Sequence, residues 1–117
     1  MAKGKDLRRI ALSLDGTTEA PHFDRAAFRV KRIYATMAAD ERSVNLMLTP
    51  DEQEFKCLTA PDAFSPIPNA WGRKGWTILT LSKVSTDELE NALKAAWAHA
   101  VPMAKPRKAP SAARKTT

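Results

Sequence analysis

The spacing of apolar residues changes along the chain, and the changes predict the order of its elements. Near the start, apolar residues recur at i, i+3, i+4 and i+7, the spacing of one helix face: Leu7, Ile10, Ala11 and Leu14. Asp6 suits the N-cap or first turn of this helix, and Asp15-Gly16 provides its end. An amphipathic helix is therefore predicted first.

Residues 20–37 change to a period of two, which is typical of half-buried strands. Two apolar runs flank the cationic pair Lys31-Arg32, so we predict an antiparallel hairpin with this pair at its tip. A third strand follows over 43–48, where Val44 and Leu46 alternate with polar neighbours. Residues 17–23 are predicted as an edge strand, because proline at position 21 disfavours a central place in a sheet.

Two capping boxes mark the remaining helices. Thr49 and Glu52 bracket Pro50 at the start of the first, whose buried side we expect to carry Phe55 and Leu58. Ala60-Pro61 ends it. Ser85 and Glu88 open the second, which carries one apolar stripe and closes before Pro102. The stripe consists of Leu89, Leu93, Ala96, Trp97 and Ala100.

Between these helices, 61–69 is proline-rich and predicted to be irregular, and 71–81 is predicted as a last hairpin or long strand. The predicted fold is a single α+β domain over residues 1–101, with elements in the order α-β-β-β-α-β-α. Its antiparallel sheet has about four or five strands, with helices packed on one face. Residues 102–117 have no apolar periodicity and are predicted to form a disordered basic tail.

Charge divides the chain in the same place. The net charge of the 117 residues is +6, but five cations and no acids follow Val101: Lys105, Arg107, Lys108, Arg114 and Lys115. Residues 1–101 carry 14 cations against 13 acids, a net charge of +1. The high isoelectric point therefore reflects the tail, and a nearly neutral domain weakens the case for a wholly basic nucleic-acid surface.

Few residues have the pattern of a chemical site. His22 and His99 are too far apart for a helix-spaced metal pair, and a single cysteine, Cys57, excludes disulfides and Cys-based zinc sites. We interpret His22 as hydrogen-bonded to nearby backbone, His99 as placed favourably at a helix C-terminus, and Cys57 as a small buried hydrophobe. A reactive thiol at Cys57 would need exposure and a cation such as Lys56.

No catalytic or cofactor motif is present, so we expect neither an enzyme nor a metal or cofactor. The acids at 51, 52 and 54 lie in a predicted first helical turn, where capping explains them. The basic start has too short an apolar run for a signal peptide, and no stretch is long enough to span a membrane. We therefore expect a cytoplasmic protein, with a monomer favoured and no contact with membranes.

Several motifs, in order, resemble the MmcQ/YjbR family of small bacterial proteins over roughly residues 6–101. They are P-H-F at 21–23, A-A-F-R-V at 26–30, I-Y-A-T-M at 33–37, W-G-R-K-G-W-T-I-L-T-L at 71–81 and A-A-W at 95–97. A turn glycine of the family is replaced here by Lys31. The resemblance implies an α+β fold of the secretion-chaperone or CyaY-like kind, often labelled as double-winged and DNA-binding, with no established enzyme activity.

The leading hypothesis is a non-catalytic DNA-binding protein whose hairpin and tail cations contact phosphates with weak sequence selectivity. Its predicted contacts in the domain are Arg29, Lys31, Arg32, Arg42, Arg73 and Lys74, joined by the five tail cations. The alternative for each of these cations is that its charge is solvated or paired with a nearby acid. For Trp71 and Trp76 we expect core packing rather than base stacking, and partial exposure of one of them beside Arg73 is the alternative. A protein-interaction or chaperone-like module, using the open sheet face or a dimer surface, is the second hypothesis.

Overall fold

The computed structural model describes residues 1–101. The helices are α1 (Gly4–Ser13), α2 (Pro50–Thr59), α3 (Ala70–Arg73) and α4 (Thr86–Ala100). The strands are β1 (Thr18–His22), β2 (Arg25–Arg29), β3 (Ile33–Met37), β4 (Ser43–Met47), β5 (Phe64–Pro66) and β6 (Trp76–Thr80). The α+β class is confirmed, whereas the sheet has six strands. The predicted tail over 102–117 lies outside the described residues and stays a prediction.

All six strands form one antiparallel sheet in the order β1-β2-β3-β4-β6-β5. The first four strands are the predicted edge strand and meander. Prolines 21 and 66 lie in β1 and β5, which are the two edge strands of the sheet. Proline is tolerated there because an edge strand can do without one N–H in the hydrogen bonding between strands. Strand β5 lies in a segment predicted to be irregular, because three residues ending in proline carry no strand periodicity.

The core lies between one sheet face and the helices. Val44 and Leu46 of β4 point to this face and are fully buried, as is Leu79 of β6 opposite Val44. Helix α4 packs on β3 and β4 through the predicted stripe, and α1 packs against α4. The alanines in that stripe leave room for close approach of α4 to the sheet. Both capping boxes form as predicted.

A β-bulge in β3 breaks the simple alternation. Phe28 pairs with Ala35, but the next residue of β2, Arg29, pairs with Ile33, which leaves Tyr34 as the extra residue. Tyr34 and Ala35 are therefore both fully buried although they are adjacent. The Tyr34 hydroxyl forms a hydrogen bond of 2.8 Å with Thr17 Oγ1, which satisfies its polar end inside the core.

Two predictions about local structure are wrong. Residues 71–81 are not one strand or hairpin, since 70–73 form the short helix α3 and β6 begins at Trp76. Helix α2 does not bury Phe55 and Leu58, which are 65% and 74% exposed. Its inward side carries Gln53 and Cys57 instead. Gln53 Nε2 donates to the carbonyl oxygens of Gly72 and Trp76 at 2.9 and 3.0 Å, and Cys57 packs against the core.

Candidate nucleic-acid interface

The tip of the β2–β3 hairpin exposes three of the predicted cations. Arg29 ends β2, and Lys31 and Arg32 lie in the connecting turn. Arg32 is not free, because its Nη2 donates to the carbonyl oxygen of His99 at 3.0 Å. The positive charge of this guanidinium is also stabilised by the negative end of the α4 dipole. Lys31 and Arg29 project from a turn that is anchored to the last helix.

The second pair of cations lies on a short helix rather than at the predicted hairpin tip. Arg73 ends α3 and Lys74 follows it, both exposed. Lys74 Nζ lies 5.2 Å from the ring centroid of Trp71, a cation–π contact. Two glycines make this turn: a Cβ at Gly72 would lie 1.8 Å from the carbonyl oxygen of Ile67, and Gly75 has φ +113°. These two requirements explain why glycine occupies both positions in the W-G-R-K-G-W motif.

The topology brings these two groups of cations to the same end of the sheet. Strands β3 and β6 are both antiparallel to β4, so they begin at the same end, with one strand between them. Their starts are therefore about 10 Å apart across the sheet. Lys31 and Arg32 precede β3, and Lys74 precedes β6. We call the five residues at this end the basic end: Arg29, Lys31, Arg32, Arg73 and Lys74.

Arg42 is separate from this group. It precedes β4, whose first residue Ser43 pairs with the last residue of β6, Thr80, at the opposite end of the sheet. Its backbone N–H donates to Asp40 Oδ1 at 2.9 Å, and its carbonyl accepts from Leu81 N–H. The six predicted domain cations therefore do not form one surface. Sequence proximity gave no means of deciding this, since it depends on which strands are neighbours.

The tail cations, from Lys105 to Lys115, lie outside the described residues. The position at which the chain leaves the described domain is nevertheless defined. Val101 caps α4 two residues after His99, whose carbonyl accepts the bond from Arg32. The five tail cations therefore follow a chain position at the basic end.

A polar clamp joins α2 to α4 beside the basic end. His99 Nε2 lies 2.7 Å from Glu52 Oε1. Burial by itself raises the pKa of the Glu52 carboxyl, but hydrogen bonds from Thr49 and His99 outweigh burial and hold that pKa below its usual value. The interpretation of His99 as a residue serving only the helix dipole missed this contact. An Nε2 donor facing a capping carboxylate fixes the two helices relative to each other.

The face of the sheet opposite α4 carries exposed aromatic residues. Trp71 is 58% exposed and packs edge-on against Trp76 with ring centroids 6.4 Å apart, so core packing is wrong for Trp71. Phe23 is 93% exposed, and the ring of His22 contacts it edge-on. These side chains line a groove of about 480 Å³ with Ile33 and Ile67. We call it the aromatic groove.

Other candidate chemistry has a structural explanation. Cys57 is half-buried, and burial raises the pKa of its thiol, which keeps it protonated at neutral pH. The neighbouring Lys56 Nζ lies 5.4 Å from the ring centroid of Phe64. Among residues 1–101, no three His, Cys, Asp or Glu side chains are grouped to hold a metal. Within the same range, no helix is long and apolar enough for a membrane crossing.

Comparisons with known proteins agree on the fold. A family model described as YjbR matches residues 12–99. The crystal structure of Deinococcus radiodurans protein DR2400, with a DUF419 domain, superposes with a TM-score of 0.71 and 24% identity. The match covers 82% of this chain and 76% of that chain. At this identity the likeness shows the fold alone. No curated protein matches the chain.

Proposed function

The chain belongs to the YjbR family, and on this premise we propose that it is a non-catalytic DNA-binding protein. The observation that carries the proposal is the basic end, where exposed cations from two separate turns meet at one end of the sheet. A nearly neutral domain that exposes five of its 14 cations at one end of the sheet can approach phosphates locally even though its total charge is small.

Binding at the basic end would be electrostatic. Lysine and arginine side chains on turns contact phosphate oxygens and release counterions, which supplies affinity without reading sequence. The longest described helix, α4, offers no base-reading surface at its start, because Asp87 and Glu88 are exposed in its first turn. Weak sequence selectivity follows from this arrangement.

The test compares two double variants of the full chain that remove the same charge from opposite ends of the sheet. Lys31→Ala with Arg73→Ala removes two cations of the basic end, whereas Arg42→Ala with Lys83→Ala removes two exposed cations of the other end. Binding to a duplex of random sequence is measured by fluorescence anisotropy over a salt series. The first variant is expected to bind more weakly, with a slope of log K against log salt smaller by about 1.8.

The control variant is expected to bind as the unsubstituted chain does, because its cations lie away from the proposed contact. Equal weakening by both variants would mean that only net charge matters, and the basic end would not be the DNA-binding surface. Thermal unfolding of each variant verifies that the fold is retained.

A protein-interaction module is the second candidate, and the exposure of Phe23 and Trp71 favours it. Exposed aromatic clusters on a sheet face are typical of surfaces that bind partners. If the partner is a second copy of the chain, self-association is expected in sedimentation velocity over a concentration series and is lost in Trp71→Ala; a different partner is expected to co-purify with the full chain. A monomer at all concentrations that binds duplex DNA decides for the first candidate.

A further inference from the structure

The open face of the sheet has the composition of a base-stacking surface. Phe23 and His22 border the aromatic groove on one side, and Trp71 with Trp76 border it on the other. Thr36 and Asn45 lie side by side on its floor, on neighbouring strands. Aromatic rings beside a flat strand surface are what proteins use to hold unpaired bases.

The charges around the groove favour a negatively charged occupant. Arg25 is half-buried on its floor, where its Nε donates to Thr36 Oγ1 at 3.0 Å and its Nη2 to Thr36 O at 2.8 Å. These two bonds hold the guanidinium in a defined position. No Asp or Glu is among the described residues that line the groove, and Asp24 lines a different pocket with Arg8.

The groove is continuous with the basic end. Arg29 pairs with Ile33, a residue of the groove, and Lys74 lies against the Trp71 ring. A strand whose bases enter the groove would therefore carry its phosphates past these two cations. This geometry matches the combination of stacking platform and cationic track found in single-strand binding.

We propose that the aromatic groove binds the unpaired bases of single-stranded nucleic acid, with Phe23 and Trp71 as stacking residues. The proposal deepens the proposed DNA-binding function and rests on the basic end for phosphate contacts. A duplex cannot use the groove in this way, because its bases expose only their edges. An unpaired base offers its face to either ring.

The experiment uses the full chain and short oligothymidylate and oligouridylate strands, which have no duplex structure. Binding is followed by quenching of tryptophan emission and by anisotropy of a labelled strand. Trp71→Ala and Phe23→Asn are each expected to weaken single-strand binding by about 5- to 150-fold, the range for loss of one stacked base. Binding of either strand through the groove supports the proposal, and the difference between the two identifies the preferred sugar.

Phe55→Ala is the matched control, because Phe55 is also an exposed phenylalanine but borders a pocket with Asn91 and Ala95 of α4. It is expected to leave single-strand binding unchanged. A melting curve for each variant separates lost stacking from lost folding. Phe23→Asn is especially informative because φ of Phe23 is +60°, a left-handed conformation that asparagine adopts more readily, so reduced stability is not expected.

The outcomes separate the groove from the basic end. Single-strand binding that is weakened by Lys31→Ala with Arg73→Ala, and unchanged by Phe23→Asn and Trp71→Ala, overturns the groove and leaves the DNA-binding function standing. No binding to any nucleic acid overturns both. A self-associating chain that Trp71→Ala turns into a monomer, with nucleic-acid binding unaltered, assigns the groove to protein contact and overturns the proposal.

Discussion

At Phe23 the backbone conformation and the preference of the side chain disagree. Its φ is +60°, in the left-handed region that phenylalanine adopts at a cost of about 1–2 kcal/mol. Tight turns between antiparallel strands often need this conformation, and glycine or asparagine usually supplies it. Burial does not compensate here, since 93% of the side chain is exposed. A strained and exposed aromatic ring beside a groove is typical of a residue kept for binding.

Phe23→Asn is expected to raise the free energy of unfolding by about 0.5–1 kcal/mol, because asparagine adopts positive φ more readily and loses only the edge contact with His22. Urea unfolding followed by circular dichroism measures the change. Phe55→Asn serves as the control: it replaces an exposed phenylalanine on a helix, where asparagine is a poor helix former, and is expected to lower stability slightly. A decrease for Phe23→Asn would show that the ring contributes to the fold.

At the level of elements, the capping boxes predicted where α2 and α4 begin, and the apolar spacing predicted which side of α1 and α4 is buried. Each of these depends on residues close together in the sequence. Helix α2 shows the limit of such signals, because its capping box was predicted and its orientation was wrong. Gln53 faces inward to bond the carbonyls of Gly72 and Trp76, about twenty residues away, and no local pattern identifies those partners.

The candidate site was predictable to a similar extent. The hairpin tip with Lys31 and Arg32 follows from period-two alternation around a polar pair. The separation of Arg42 from the basic end does not, because it follows from strand order. Core packing was predicted for Trp71, with partial exposure beside Arg73 only as the alternative, since a tryptophan next to a strand is usually buried. Here Gly72 lets α3 approach the backbone of Ile67, Gly75 turns the chain from α3 into β6, and the Trp71 ring lies on the open face.

The clamp between α2 and α4 gives a prediction for pH. Hydrogen bonds from Thr49 and His99 hold the pKa of Glu52 below its usual value of about 4.5, so the folded state favours the ionised carboxylate. That contribution is complete above the unfolded pKa and is lost as the pH falls through the folded pKa. Glu52→Gln keeps a capping-box side chain and removes the charge. It is expected to cost about 0.5 kcal/mol at pH 7, a small value because both partners are about one-third exposed.

The stability difference between Glu52→Gln and the unsubstituted chain is therefore expected to shrink as the pH is lowered from 5 to 3. Urea unfolding at several pH values measures it. Glu88→Gln makes the same change in the other capping box, at an exposed carboxylate, and controls for capping alone. A difference that widens in acid would mean that the charged form of Glu52 does not stabilise the fold.

At the scale of the whole molecule, the chain combines a domain of net charge +1 with five cations after Val101. Five of the domain's 14 cations lie at one end of the sheet, and α4 brings the chain to that same end. The chain position that precedes the tail cations therefore lies at the basic end, the other proposed source of phosphate contact. The separate contributions of the basic end and of the tail cations to binding decide between two cases. Either the folded domain has a role in binding nucleic acid, or the residues after it account for all of the affinity.

These two contributions can be measured through counterion release, because the slope of log K against log salt counts the phosphates that cations neutralise. If all five tail cations neutralise phosphates, replacing them with glutamine in the full chain is expected to reduce the slope of log K against log salt by about 4.5 on duplex DNA. The remaining slope belongs to residues 1–101, and Lys31→Ala with Arg73→Ala added to this variant should reduce it by about 1.8 more. Arg42→Ala with Lys83→Ala in the same background should leave it unchanged.

If replacement of the tail cations abolishes binding, the basic end contributes no phosphate contacts and the DNA-binding function of the domain is wrong. If binding persists and responds only to the basic end, the folded domain itself binds DNA, and the tail cations add to its affinity.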